Sequence, residues 1–135
     1  MAITQAMCSS FKTELLTGTH NFTNSSGNTF KLALYTSSAT INAATTAYTS
    51  SNEVSSTNYT AKGGALTNVT PSNGSGTVAF TSFSTLTFTN VTLTARGALI
   101  HNSSQSDKAV CALDFGGDKT ATAGNFTITF PTNDA

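Results

Sequence analysis

VTLTARGALIHNSSQSDKAVCALDFGGDKTATAGNFTITFP, residues 91–131, decides the fold class. It contains three runs of apolar and β-branched residues separated by two polar, turn-forming clusters. In the first run, 92–101, Leu93 and Leu99 share one face with Ala95 and Gly97 between them, while Thr92, Thr94, Arg96, Ala98 and Ile100 take the other. A glycine inside such a run marks a bulge or a close approach of backbone. HNSSQSDK is expected to reverse the chain. Residues 109–115 are almost continuously apolar, as a central strand requires. GGDKTATAG is expected to reverse it again. Residues 125–130 then alternate Phe126, Ile128 and Phe130 inward against Thr127 and Thr129 outward, and Pro131 ends the run because proline cannot donate to a ladder.

Working outward, the same period of two recurs. Residues 82–90 alternate Leu86 and Phe88 against Thr85, Thr87 and Thr89. Residues 65–70 and 77–81 flank PSNGSG, whose Asn73-Gly74 predicts a hairpin turn. Residues 29–36 place Phe30, Leu32 and Leu34 on one face and Lys31, Ala33 and Tyr35 on the other, a strand with one buried face. Short alternating strands with frequent turns predict an all-β domain, an antiparallel two-sheet β-sandwich of jelly-roll or Ig-like type.

Residues 3–16 carry the one helical pattern. At 100° per residue Ile3, Ala6, Met7, Phe11 and Leu15 fall on one half of the cylinder, so an amphipathic helix is expected there, with Gly18 as a left-handed cap. A helix this short needs a surface to pack on, either the chain's own sheet or a neighbouring subunit. Residues 37–62 form a long excursion rich in Ser, Thr and Ala, with at most one helical turn near 43–48 and a short strand near 53–56. Ordered loops of this length are usually functional. The expected contact surfaces are therefore the stripe Ile3, Met7, Phe11 and Leu15, the excursion residues Ile41, Tyr48 and Tyr59, and Arg96.

Composition narrows the function. The 135 residues suit one domain. Charged residues make up 9% of the chain and the formal net charge is zero, against about 25% charged residues in an average globular domain. The 27 threonines fit the outward rows of strands, and the nine phenylalanines supply a core. Six scattered cations give no patch for phosphates, so no nucleic acid is expected. No apolar run approaches a membrane span, and no basic flank leads into a signal-like segment. A neutral surface offers little like-charge repulsion, which favours life in an assembly.

The chemistry on offer is sparse: six carboxylates, two histidines and two cysteines. Asp114 and Asp118 flank a glycine turn, too few oxygens for calcium. No His or Cys spacing fits zinc, and no nucleophile elbow is present. Cys8 and Cys111 read as buried thiols, and Arg96 as the partner of Asp114. No catalytic, metal or cofactor residues are assigned, and no enzyme activity is expected.

MAITQAMCSSFKTELLTGTHNF, FKLALYTSSATINAATTAYTSSNEV, RGALIHN and AVCALDFGGDKTATAGNFTITFP, in that order, resemble a family of small virion structural proteins of tailed bacteriophages, especially aquatic ones. LDFGGDKT with FTITFP is the most specific part. The resemblance implies a virion component assembled in the host bacterial cytoplasm. Its expected partners are the major capsid protein or other virion proteins, with a homo-oligomer in the particle. A capsid decoration or cement protein is the leading reading, with a tail, neck or fibre-base component next and a glycan-binding module after that. The resemblance brings no catalytic residues with it.

Overall fold

A computed structural model describes residues 2–74 and 76–132. Among these, seven strands and one helix follow in the order β1 (Ala6–Met7), α1 (Ser9–Leu16), β2 (Phe30–Tyr35), β3 (Gly64–Ala65), β4 (Asn68–Ser72), β5 (Phe80–Phe83), β6 (Leu86–Asn102) and β7 (Lys108–Ile128). The chain is an all-β protein with two antiparallel sheets. One has the order β1-β7-β6-β2-β3, and the other is the β4-β5 ribbon. Both serve one core, because Phe83 of β5 packs its ring against Phe22, Phe30 and Phe130. The second sheet is smaller than the comparable layer expected.

The β6–β7 hairpin is the backbone of the fold, and it corrects the strand boundaries. Residues 82–90 and 92–101 were expected as separate runs, yet β6 continues from Leu86 through both. GGDKTATAG was expected to reverse the chain, yet β7 runs through it from Lys108 to Ile128. What reads as turn chemistry is spent on bulges. Ala95 faces Lys119 while Gly97 faces Asp114, so residues 115–118 bow out of the ladder, with Gly116 at φ +75°. Asn90 on β6 and Ala123 on β7, at φ +50° and +45°, mark two further irregularities. These cancel: Phe88 faces Phe126 before them and Leu93 faces Ala121 after them, which is the same register. The apolar face therefore stays inward from end to end, with Phe88, Val91, Leu93, Ala121, Phe126 and Ile128 buried. The opposite face shows Thr87, Thr92, Thr94, Thr120 and Thr127 to solvent, with hydroxyl contacts from Thr87 to Thr127 (3.2 Å) and from Thr94 to Thr120 (2.8 Å).

Strand β2 pairs with β6 from Phe30 opposite Asn102 to Tyr35 opposite Gly97. One buried face was expected for it. Both faces are covered, with Leu32, Ala33, Leu34 and Tyr35 all fully buried, because the 37–62 excursion folds back over it. Val54 N–H donates to Leu34 O (3.0 Å) and the Tyr35 hydroxyl to Thr49 O (2.6 Å). The excursion holds no helical turn. Of the strand expected near 53–56 only an isolated bridge remains, Glu53 opposite Tyr35.

The helix is half the expected length. It begins at Ser9, not at residue 3. Ala6 and Met7 instead pair with Ala112 and Cys111 on β7, and Ile3 forms a parallel bridge with Ile41. The ladder partners supplied by β7 outweigh a helical periodicity too short to hold itself together. The C-terminal cap follows expectation. Gly18 sits at φ +72°, its N–H reaches Leu15 O (3.2 Å), and Thr19 N–H reaches Glu14 O (3.0 Å), a Schellman closure.

Candidate functional site

Two consecutive polar residues at the end of β6, His101 and Asn102, are fully buried. Successive side chains of a strand point to opposite faces, so each anchors a different set of loops. Together they gather both histidines with Glu14, Glu53, Lys62 and Asp107. The two histidines sit beside polar loops in sequence, but both are interior: His20 is 8% exposed and His101 0%.

On one side lies the excursion, and Glu53 is its hub. Its Oε2 accepts the Tyr48 hydroxyl (2.6 Å), and its Oε1 accepts both the Tyr59 hydroxyl (2.8 Å) and the Lys62 N–H (2.8 Å). The Tyr59 oxygen in turn accepts Leu34 N–H at 2.9 Å, tying the excursion to β2. Lys62 continues the chain of contacts, since its Nζ donates to Asp107 Oδ2 (2.5 Å) and lies 5.5 Å from the Tyr48 ring centre. His101 closes the circuit, with Nδ1 3.1 Å from Asp107 Oδ1 and Nε2 3.1 Å from Lys62 O. The electrostatics follow from burial. Burial, with the Glu53 bond and charge added, pushes the Tyr48 phenol up to about 12. The Tyr59 and Tyr35 phenols are raised further, again by burial first. Burial lowers the His101 imidazole below its ordinary value, against the pull of Lys62 O and Asp107. For Asp107 burial works upward, but the Lys62 bond and the His101 charge outweigh it and hold the carboxyl below its usual range.

On the other side a line of hydrogen bonds fixes its own direction. Asn21 N–H donates to Asn28 Oδ1 (2.8 Å), and Ser104 N–H donates to Asn102 Oδ1 (3.1 Å). Those two bonds orient the amides, so Asn102 Nδ2 is the donor to Asn28 Oδ1 (2.9 Å) and to His20 Nδ1 (2.9 Å). His20 therefore carries its hydrogen on Nε2 and donates it to Glu14 Oε2 at 2.9 Å. Helix α1 is thereby tied to the β6 terminus, with the Phe11 ring 4.8 Å from the His20 imidazole and tilted 57° to it.

Both imidazoles thus have both nitrogens engaged by protein groups, and both Glu53 oxygens are filled. Three surface depressions, of about 460, 260 and 350 Å³, include neither histidine nor Glu53 in their linings, and Asn28 lines the second. Among the described residues no group of three or more His, Cys, Asp or Glu is placed to hold a metal ion, and no helix is long and apolar enough to cross a membrane. Asp114 is committed elsewhere: it accepts from Arg96 Nε (3.0 Å) and from Gly116 N–H (2.9 Å), and those bonds hold it below the usual carboxylate range.

The residues expected to form a contact surface divide sharply. Ile3, Phe11 and Ile41 are inside this chain's own core. Ile3 seats on Gly97, where a Cβ would come within 2.9 Å of its side chain and 2.4 Å of Leu113 O. Met7 and Leu15 are exposed, at 49% and 42%, and Leu16 beside them at 91%. Tyr48 and Tyr59 are half-buried with their hydroxyls turned inward, and Arg96 is taken up by Asp114. Sequence reading did not single out Glu53, Lys62, Asp107, Glu14 or Asn102. Glu53 left one signal, the lone acid of the 37–62 excursion, with a tyrosine on either side.

Comparison with known protein families, with curated proteins and with solved structures finds no match to this chain.

Proposed function

We propose that this protein is a non-enzymatic structural component of a tailed-phage virion, a capsid decoration or cement protein that binds the major capsid protein and stiffens the shell. The observation that carries the reading is the use made of its few charged groups. Glu14, Glu53, Lys62, Asp107, Arg96 and Asp114 each tie a loop, helix or bulge to the central sheet. A chain that spends its acid–base groups on bracing is built to hold a shape. What faces outward is hydroxyl-rich and almost uncharged, with the apolar side chains Met7, Leu15, Leu16 and Val78 exposed for contact. Interfaces of assembled particles draw on such weakly charged surfaces.

The test is imaging of particles made without this protein, together with its copy number in purified particles. Shells that weaken or swell, and a copy number matching the capsid lattice, support cement. An intact shell with a damaged tail or neck and few copies per particle assigns the chain to the tail instead. A glycan-binding role has weaker footing, since Tyr48 and Tyr59, the aromatic platforms it would need, point their polar ends at Glu53.

A further inference from the structure

Strand β7 is an edge strand for most of its length. β1 covers it only at Cys111 and Ala112, and Gln5 Oε1 takes Asp114 N–H at 3.2 Å. Beyond the 115–118 bulge, no main-chain bond among the described residues joins β7 to any segment other than β6. A strand presents half its N–H and C=O groups to each side, so the outer side of 119–128 is an open ladder. A groove of about 460 Å³ runs along it, with Phe115, Phe126 and Ile128 as its apolar lining, Asn125, Thr127 and Thr129 interleaved, and Lys119 and Thr120 beside them. An open ladder beside pockets for alternate side chains is the geometry that accepts an added strand.

We infer that the occupant is a second copy of the same strand, paired antiparallel about a two-fold axis at Thr127. Three observations select it. First, the pleat demands that facing residues belong to the same face. An axis at Thr127 sets Phe126 opposite Ile128 of the copy on the inner face and Asn125 opposite Thr129 on the outer, an aromatic with a β-branched residue and polar with polar. Second, the extra residue of the Phe88/Val91 register shift lies on β6, so β7 itself runs through 124–128 without a bulge and can pair along its outer side. Third, residues 120–130 carry no charge and the chain's formal net charge is zero. A copy paired about Thr127 meets no repulsion there, since the one cation lining the groove, Lys119, lies outside the paired residues. Isologous pairing also closes both edges at once. A contact this short lies below the ~1,200 Å² of a stable interface, so the pairing is weak in dilute solution and closes where copies are crowded.

The pairing is independent of the particle assignment, and each can fail without the other. The test is disulfide trapping of Thr127→Cys, an exposed position on the axis. Facing residues of an antiparallel pair lie about 4.5–5.5 Å apart between Cα atoms, within disulfide reach. The native thiols do not compete, since burial pushes Cys111 up to about 12 and raises Cys8. Mild oxidation of concentrated Thr127→Cys is expected to give a covalent dimer. Thr94→Cys, equally exposed but inside the sheet on β6, is expected to stay monomeric. In sedimentation of the untagged chain, Thr127→Asp sets like charges face to face and is expected to weaken association by roughly tenfold or more, whereas Thr94→Asp, which loses the equivalent hydroxyl contact inside the sheet, is not. Cross-linking of Thr94→Cys as readily as Thr127→Cys overturns the inference. So does a sedimentation profile that Thr127→Asp leaves unmoved.

Discussion

Replacing Glu53 by alanine tests whether one carboxylate holds the 37–62 excursion in place. The substitution strands three donors at once: the hydroxyls of Tyr48 and Tyr59 and the N–H of Lys62. A hydrogen bond to a charged group contributes about 1.5–3 kcal/mol, and one to a half-exposed group lies at the low end because water replaces part of it. The stranded groups are half-buried, so the total loss is about 2–4 kcal/mol rather than three full bonds. For a domain of this size that is a fall of roughly 10 °C in Tm. Glu53→Gln keeps the shape and one acceptor oxygen and is expected to cost about half as much. The assay is chemical denaturation of both variants, followed by a cycle with Tyr48→Phe. In the intact protein Tyr48→Phe removes a bond to the carboxylate and costs about 1 kcal/mol; with Glu53 already absent it costs nothing. If the two losses simply add, the hydroxyl and carboxylate are not coupled and the hub does not exist. Limited proteolysis gives a second reading, since the freed excursion should be cut faster while β6 and β7 stay intact.

Gly63 sits at φ +79°, and a Cβ there would lie 1.8 Å from Leu32 O, so Gly63→Ala is expected to destabilise by about 3 kcal/mol or more, measured by urea midpoint; a midpoint like that of the parent would show that β2 and β3 do not approach as described. The His101 imidazole is lowered by burial, which fixes a sign: above the unfolded value of 6.5 both states are neutral and nothing is lost. Below it the unfolded chain takes up the proton first, so stability falls as pH drops from 6.5 toward the folded value. Asp107, lowered in the folded chain, adds a loss in the same direction at more acid pH, starting near 3.8. Denaturation at pH 7 and pH 5 should show the first loss, and His101→Gln should flatten it; an unchanged slope in the variant assigns the effect to another group.

The alternation of 82–90, 92–101 and 125–130 was enough to give an all-β chain with threonine outside and phenylalanine inside, because a strand's two faces are a local property of the backbone. Gly18 as a helix cap was legible for the same reason, since a left-handed residue after a short apolar stripe needs no distant partner. The continuity of β6 and β7 was not legible. Asn90 and GGDKTATAG carry residues suited equally to a reversal or a bulge, and the choice depends on whether a partner strand continues alongside. Helix α1 begins at Ser9 rather than residue 3 for a related reason, because Ala6 and Met7 find ladder partners more than a hundred residues away. The burial of both faces of β2, the hub at Glu53 and the open edge of β7 likewise belong to the tertiary structure. Sequence patterning sets which side of each strand is apolar; only the assembled chain decides which edges are covered and which lone charges meet, since those depend on contacts between residues far apart in the chain.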